Sequence, residues 1–490
     1  MDRFRHQHER GMTVLLVISF MGVMMVILGA ITSYAFQQAK YGRALYAREQ
    51  ALSIAEAGLE YYRWFLAKNP NIMTAGIGLE SPYTYTVSDP EGGTHGTATI
   101  TAVANLACGA VQSIDLQSRG VSSASALFPR TLAVRYMKPS VAQYAFLYDT
   151  AVWFGSTNTG IGPYHSNNGL RMDGTNNSTV SSSLGANAFW CTSSYGCSPS
   201  QWTNGVFGNG SGSALWQFPA STIDFAGIAS NFSTLRGYAQ TSGLLLSATS
   251  VRLANVQQGS TFGSVGGTDQ KGFHLVFNSN GTVSVYRVTA TLSGSYSYND
   301  IEGWHDDYTT ISSETLHGTY TLTSGCALIY SDARTWITGT VNGKITVVAA
   351  DTGSYVSDVI LPGNIAYATS NGTTGLTAVA EGSVQLSLNS PDTMSIAGIF
   401  VAQTGHYGRD YYLTDYVPSA YTNYVVQSTL TVNGTIVSAQ RGAICWSSGG
   451  TCVSGYQTRN NTYDRVLAFS PPPFTPSIST AYKYVLWREQ

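Results

Sequence analysis

Met12–Gln38 reads MTVLLVISFMGVMMVILGAITSYAFQQ and carries no charged residue. An uncharged apolar run of this length can cross a bilayer as one helix. No proline occurs before Pro70, so nothing breaks the helix beyond Gln38. A helix from Met12 to Lys68 would be roughly 85 Å long at ~1.5 Å per residue. In its second half Leu45, Leu52, Leu59 and Leu66 recur every seven residues, and Tyr41, Ala55 and Tyr62 fill the same stripe. That half is expected to bury the stripe and leave Lys40, Arg43 and Glu60 outside. Asn69-Pro70 then ends the helix, because proline cannot continue it and restricts the residue before it.

Upstream lies a short basic leader with Arg3, Arg5 and Arg10, closed by Gly11. A secretory signal would place small residues after the apolar core. Here Tyr34-Ala35-Phe36-Gln37-Gln38 follows instead, and the glycine stands before the run. A basic leader, a glycine and then a half-apolar, half-amphipathic helix resembles the type IV pilins. The stretch Ala51-Leu52-Ser53-Ile54-Ala55-Glu56-Ala57-Gly58-Leu59-Glu60 is similar to the A-x-x-x-A-E-A-x-x-E segment of PilX-like minor pilins. The resemblance implies cleavage by a prepilin peptidase between Gly11 and Met12, and an N-methylated Met12. It implies a start in the inner (cytoplasmic) membrane, then a place at the cell surface at a pilus tip. The partners it implies are other pilins and the pilus assembly machinery. Leu16 occupies the fifth mature position, where major pilins carry Glu, so the chain is expected to be a minor subunit and not the repeating one.

The chain has 490 residues, only 11% of them charged, and a net charge of −2. Such a balance gives no general attraction to nucleic acid or acidic lipid. Abundant Gly, Ser, Thr and Tyr beside plentiful aliphatic residues suits β structure and not disorder. Six cysteines lack the C-x2-C or Cys/His spacing of a metal site. Cys191 with Cys197, and Cys445 with Cys452, are expected to close small disulfide loops. A bond from Cys108 to Cys326 rests on parity alone.

Patterning together with the resemblance implies five segments: a leader at 1–11, the long helix at 12–69, a pilin-like antiparallel sheet at 70–138, a β-solenoid at 139–470, and a Pro-rich turn with a last strand at 471–490. Period-two alternation marks four strands within Tyr83–Tyr136. Farther on, Ile223–Gln240 reads as one amphipathic helix, with Phe225, Ile228, Phe232 and Leu235 on one side. Phe273–Phe277 and Thr282–Tyr286 flank Asn280-Gly281, a hairpin signal. Thr340–Ala349 matches Thr431–Ala439, with three further short apolar strands between them. Such irregular repetition points to a parallel β-helix, in which each coil buries its inner face by stacking on the next; an antiparallel sandwich is the alternative. The last strand, Tyr482–Trp487, either caps the solenoid or returns to the first sheet. The fold class is therefore mainly β with one long N-terminal helix.

No catalytic, cofactor-binding or metal-binding set is read from the sequence. Glu302, His305, Asp306 and Asp307 form the densest polar cluster and read as an exposed turn beside Tyr308 and Thr309. His165 and His406 read as hydrogen-bonded histidines in Gly-rich turns. Asp332, Asp351, Asp358, Glu381 and Asp392 look scattered, with no common register. Tyr407, Tyr411, Tyr412, Tyr416, Tyr421 and Tyr424 crowd one stretch and suit a contact surface. The expected function is a non-enzymatic minor pilin or pseudopilin whose solenoid is presented for adhesion or ligand capture, with a surface glycan, host-cell or DNA ligand. The alternatives are a membrane-anchored polysaccharide-processing enzyme on a β-helix and a DNA-capturing competence pilin.

Overall fold

The structure, a computed structural model, describes residues 5–228, 231–261, 272–322, 325–351 and 356–490, excluding the side chains of residues 5–11, 75, 227 and 228. Arg3 and the side chains of Arg5 and Arg10 therefore lie outside the described residues. Two compact units emerge. One comprises residues 1–104, 114–135 and 486–490; the other comprises residues 105–113 and 136–485.

In the first unit the helix Arg5–Lys68 runs unbroken through the Gly11–Met12 junction. Every residue from Met12 to Arg43 is exposed, and the helix is long and apolar enough to cross a membrane. Beyond that stretch Ala47, Ala51, Ile54, Ala55, Leu59, Tyr62 and Leu66 are buried, at spacings of three and four. This corrects the heptad stripe. Leu59 and Leu66 are buried, but Leu45 is 41% exposed, Tyr41 is exposed and Leu52 is half-buried. A seven-residue repeat drifts by ~20° per heptad on a straight helix of 3.6 residues per turn, so the stripe rotates off the buried face.

The sheet has five strands, not four, in the order Tyr83–Ser88, Thr94–Ala107, Ala110–Ser122, Ser125–Met137 and Lys483–Glu489. The first two are antiparallel, from Tyr83 opposite Ile100 to Val87 opposite Gly96. The last strand returns to this sheet: Arg130 pairs with Glu489, and the Gln490 N–H donates to Thr131 O at 3.0 Å. Helix and sheet meet through small residues. A Cβ on Gly120 would lie 2.0 Å from Ala51 O and 2.6 Å from Ala55 N, and one on Gly58 would lie 2.6 Å from Ala98 Cβ. The alanines of the Ala51–Glu60 segment thus serve close backbone approach, while Glu56 and Glu60 stay exposed.

The second unit is a parallel β-solenoid, and its coils do not stack in chain order. One inward column follows the parallel registers Leu244, Ile329, Val347, Ala378, Phe400, Ile436, Phe146, Tyr164, Val180 and Trp216. The strand Val426–Gln440 therefore lies between Thr393–Gly408 and Phe146–Tyr148, and the first-made coils continue the stack begun by the later ones. Each residue of the column from Leu244 to Val180 is buried. A stack of this kind shields on both sides what a single coil would expose. The reverse face of the same strands, with Leu245, Tyr330, Val348, Val379, Val401 and Val437, packs with Leu235, Ala239 and Leu467 from short helices. The predicted helix over Ile223–Gln240 is two helices, Phe225–Ile228 and Phe232–Thr241; Asn231 caps the second, its Oδ1 accepting the Thr234 N–H. The side chain of Ile228 lies outside the described residues.

The hairpin forms as expected, Phe273–Phe277 against Thr282–Thr291, with Gly281 at φ +86° in its turn. All six cysteines are paired: Cys108–Cys326, Cys191–Cys197 and Cys445–Cys452. His165 and His406 sit in strands and not in turns. Both are buried; His165 bonds Ser181 and Asn167, and His406 bonds Ser383.

Candidate ligand-binding cleft

The sequence Tyr296-Ser297-Tyr298-Asn299 alternates aromatic and small polar residues, which in a strand sends them to opposite faces. It pairs antiparallel with Gly303–Asp306, setting Tyr298 opposite Trp304, Tyr296 opposite Asp306 and Ser297 opposite His305. Tyr411–Tyr412 adds a third strand, with Tyr411 opposite Tyr298 and Tyr412 opposite Ser297. The ribbon thus has an outer face of Tyr296, Tyr298, Trp304, Asp306 and Tyr411, and an inner face of Ser297, Asn299, His305 and Tyr412. Two stretches far apart in sequence, the polar cluster and the tyrosine-rich stretch, form one place.

On the outer face Trp304 is the hub. Its ring lies 5.6 Å from Tyr298, 6.1 Å from Tyr411 and 5.2 Å edge-on from Tyr416, and it remains 49% exposed. Trp446 extends the group at 5.7 Å from Tyr411, its Nε1–H donating to Arg409 O at 2.9 Å. Tyr296, Trp304, His305, Asp306 and Tyr416 line a cleft of 590 Å³, a size suited to a small ligand or one residue of a polymer.

The inner face is a closed polar network around Asp410, which is 1% exposed. Asp410 accepts from Ser297 Oγ (3.0 Å), Asn299 Nδ2 (3.2 Å) and His305 Nε2 (3.0 Å). His305 Nδ1 donates to Gly303 O at 3.0 Å, so both ring nitrogens are donors and the ring is an imidazolium. Burial alone would push His305 down; the hydrogen bond and charge of Asp410, helped by Glu302, outweigh it and hold the group up at about 9. Asn299 Nδ2 also donates to Glu302 Oε2, and the single proton of the Tyr308 hydroxyl lies within reach of both Glu302 and Asp358. Desolvation raises Asp307, whose Oδ1 accepts the Thr309 N–H and hydroxyl. Beneath the ribbon Arg409 is fully buried and gives its guanidinium N–H groups to Leu388 O, Tyr424 O and Val425 O. It thereby pins the loop that carries Tyr416, Tyr421 and Tyr424.

The reading of Glu302–Asp307 as an exposed turn is corrected: Gly303–Asp306 is a strand, and Asp307 and Thr309 are buried. The tyrosine-rich stretch is only partly surface. Tyr407 and Tyr412 are buried, whereas Tyr416 and Tyr424 are exposed. The acids read as scattered are corrected in part. Asp332 and Glu381 each follow strands of the same stack, and with Asp351 they add to the burial that pushes the Tyr330 hydroxyl up. Asp332 is gripped by Arg236 in two hydrogen bonds of 2.8 and 2.6 Å, and Glu381 accepts the N–H groups of Asp351 and Ser357. Asp358 accepts the Ser383 N–H, and Asp392 accepts the N–H and hydroxyl of Ser428. Among the described residues no three His, Cys, Asp or Glu side chains converge to hold a metal ion. Tyr296, Tyr298, Trp304, Asp410 and Trp446 were not singled out from the sequence. The alternation over Tyr296–Asn299 before the Gly303 turn was the available signal.

No family model matches the chain, and no curated protein matches it in sequence. Among solved structures, the crystal structure of the competence-associated pilin ComZ from Thermus thermophilus is similar, at 13% identity and a TM-score of 0.31. The match covers 91% of this chain and 97% of that one.

Proposed function

We propose that this chain is a non-enzymatic minor pilin or pseudopilin, cut between Gly11 and Met12, that sits at the tip of a type IV pilus-like filament and captures a ligand with the cleft around Trp304. The observation that carries it is the helix. Its Met12–Arg43 half is exposed and almost wholly apolar up to Ala39, and the same helix continues into a half fitted to an antiparallel sheet through Ala51, Ala55, Gly58 and Gly120. A soluble protein has no use for such a surface, whereas a subunit that passes from a membrane into a bundle of like helices needs both halves. Leu16 in place of an acid at the fifth mature position favours a minor role. A large solenoid favours the tip, because it would crowd a tight helical lattice. N-terminal mass spectrometry of the native protein tests the reading: a mature start at Met12 is expected. A start at Met1 or near Ala35 would end it, and immunogold labelling along the whole shaft would end the tip assignment.

A second reading has one observation in its favour: Glu302 and Asp410 both approach His305 Nε2, at 3.4 and 3.0 Å. Glycoside hydrolysis uses two carboxylates that flank the scissile bond, and of these two only Glu302 is exposed. Release of reducing ends from cell-surface polysaccharide, lost in Glu302→Gln, would establish that enzyme in place of the capture protein. The DNA-capturing reading is disfavoured by Asp306, the carboxylate that lines the cleft.

A further inference from the structure

We propose that the cleft recognises an organic cation, a quaternary or primary ammonium group borne by the captured ligand; this rests on the reading of the cleft as the capture surface. Three observations converge on it. Trp304, Tyr296 and Tyr416 line the space and are about half exposed, so their ring faces are open to a guest. The negative face of an aromatic ring attracts a cation, Trp most strongly. The two segments that build the cleft, residues 296–308 and 407–424, carry the acids Asp300, Glu302, Asp306, Asp307, Asp410 and Asp415 against only His305 and Arg409. Arg409 is fully buried, with its two terminal nitrogens on backbone carbonyls, so it is out of reach of a ligand.

His305 decides how that charge is distributed. Both its N–H groups are committed, to Gly303 O and to Asp410, so its positive charge offsets the buried acid. Asp306 is left on the outer face beside Tyr296 and Trp304, and among the described residues it has no ion-pair partner. An exposed carboxylate beside open aromatic faces complements a cation that is too weakly hydrated to stay in water. A neutral sugar would stack on the same rings without drawing on Asp306, and a polyanion would be repelled.

The test uses the full chain in a nonionic detergent, with tryptophan fluorescence and calorimetry as readouts. The probes are choline, its neutral isostere 3,3-dimethylbutan-1-ol, and cellobiose. Choline is expected to bind at least about tenfold more tightly than the isostere, and added salt should weaken choline alone. Asp306→Asn should bring choline close to the isostere without changing the isostere's own affinity, while Trp304→Ala should abolish both. Thermal melts confirm that each variant is folded. An isostere as tight as choline, cellobiose tighter than choline, or no saturable binding would overturn the proposal. Each of those results with a mature start at Met12 would leave the pilin reading standing. Choline binding with a different start would remove only the pilin reading.

Discussion

The helix from Met12 to Arg43 and the cleft around Trp304 both leave apolar side chains in the open, yet they are built for opposite purposes. On the helix the exposed groups are mostly aliphatic, on all sides, and uncharged as far as Ala39; only intrahelical hydrogen bonds stand behind them. Such a surface is indifferent to what covers it, provided the cover is equally apolar, which describes lipid tails and other helices of the same kind. In the cleft the exposed groups are aromatic, face one space, and are edged by Asp306. A dense polar network backs them: Ser297, Asn299, His305 and Asp410. Holding rings at fixed angles is what selectivity for one guest needs. Burial of apolar area drives both; rigidity separates them.

The contrast can be broken at either end. The largest effect is expected from Val23→Asp, which places a charge in the middle of the apolar run. At a membrane centre that costs about 3 kcal/mol, so membrane retention and filament incorporation should be lost while cleft binding persists. Normal surface filaments from this variant, counted by electron microscopy, would show that the exposed half is not used as proposed. Next is Asp410→Ala. It leaves His305 Nε2 and the donors of Ser297 and Asn299 facing an empty acceptor site, at a cost of about 2–4 kcal/mol. Thermal unfolding should register it, and a change below ~0.5 kcal/mol would mean that the network does not support the ribbon.

A smaller effect is expected from pH, and its sign follows from His305. Its folded value is held at about 9, above the ordinary imidazole value, by Asp410 and Glu302 against the opposing effect of burial. The stabilisation is therefore complete below pH ~6.5 and lost as pH rises through about 9. Allowing for solvent screening at the cleft, a loss of ~1 kcal/mol between pH 7 and 10 is expected. His305→Gln should abolish that slope in a melting series; an unchanged slope would place its origin elsewhere. The smallest effect belongs to Trp304→Phe. Stability should stay within ~0.5 kcal/mol, since the side chain is half exposed, and the affinity for choline should fall only severalfold, because Phe keeps a weaker ring face. Complete loss by calorimetry would mean that the indole N–H, and not its face, makes the contact.

What the sequence disclosed follows from the range of the interactions involved. The long helix was legible from Met12–Gln38 because hydropathy is local, and Asn280-Gly281 announced its hairpin for the same reason. The helix face was misplaced because a heptad count at Leu45 and Leu52 ignores the true turn angle. The strand Gly303–Asp306 was hidden by its charges: a ribbon whose inner face is polar and whose outer face is aromatic inverts the usual pattern of apolar inside and polar outside. Nothing local could bring Asp410 to His305, since 105 residues separate them and only the pairing of Tyr411–Tyr412 with the ribbon joins them. Nothing local brings Ile436 to Phe146 either.

That last pairing has a consequence for how the protein is made. Phe146 is synthesised some 290 residues before Ile436, the residue on which it stacks. The strands from Phe146 to Gln217 therefore stack only on one another until nearly the whole chain is made, while a separate stack grows from Leu244. Contacts of such long range are slow to close and leave bare strand edges exposed meanwhile. The stretch Val426–Gln440 acts as a keystone set last: a nascent chain halted before Val426 would hold two half-stacks with nothing to join them.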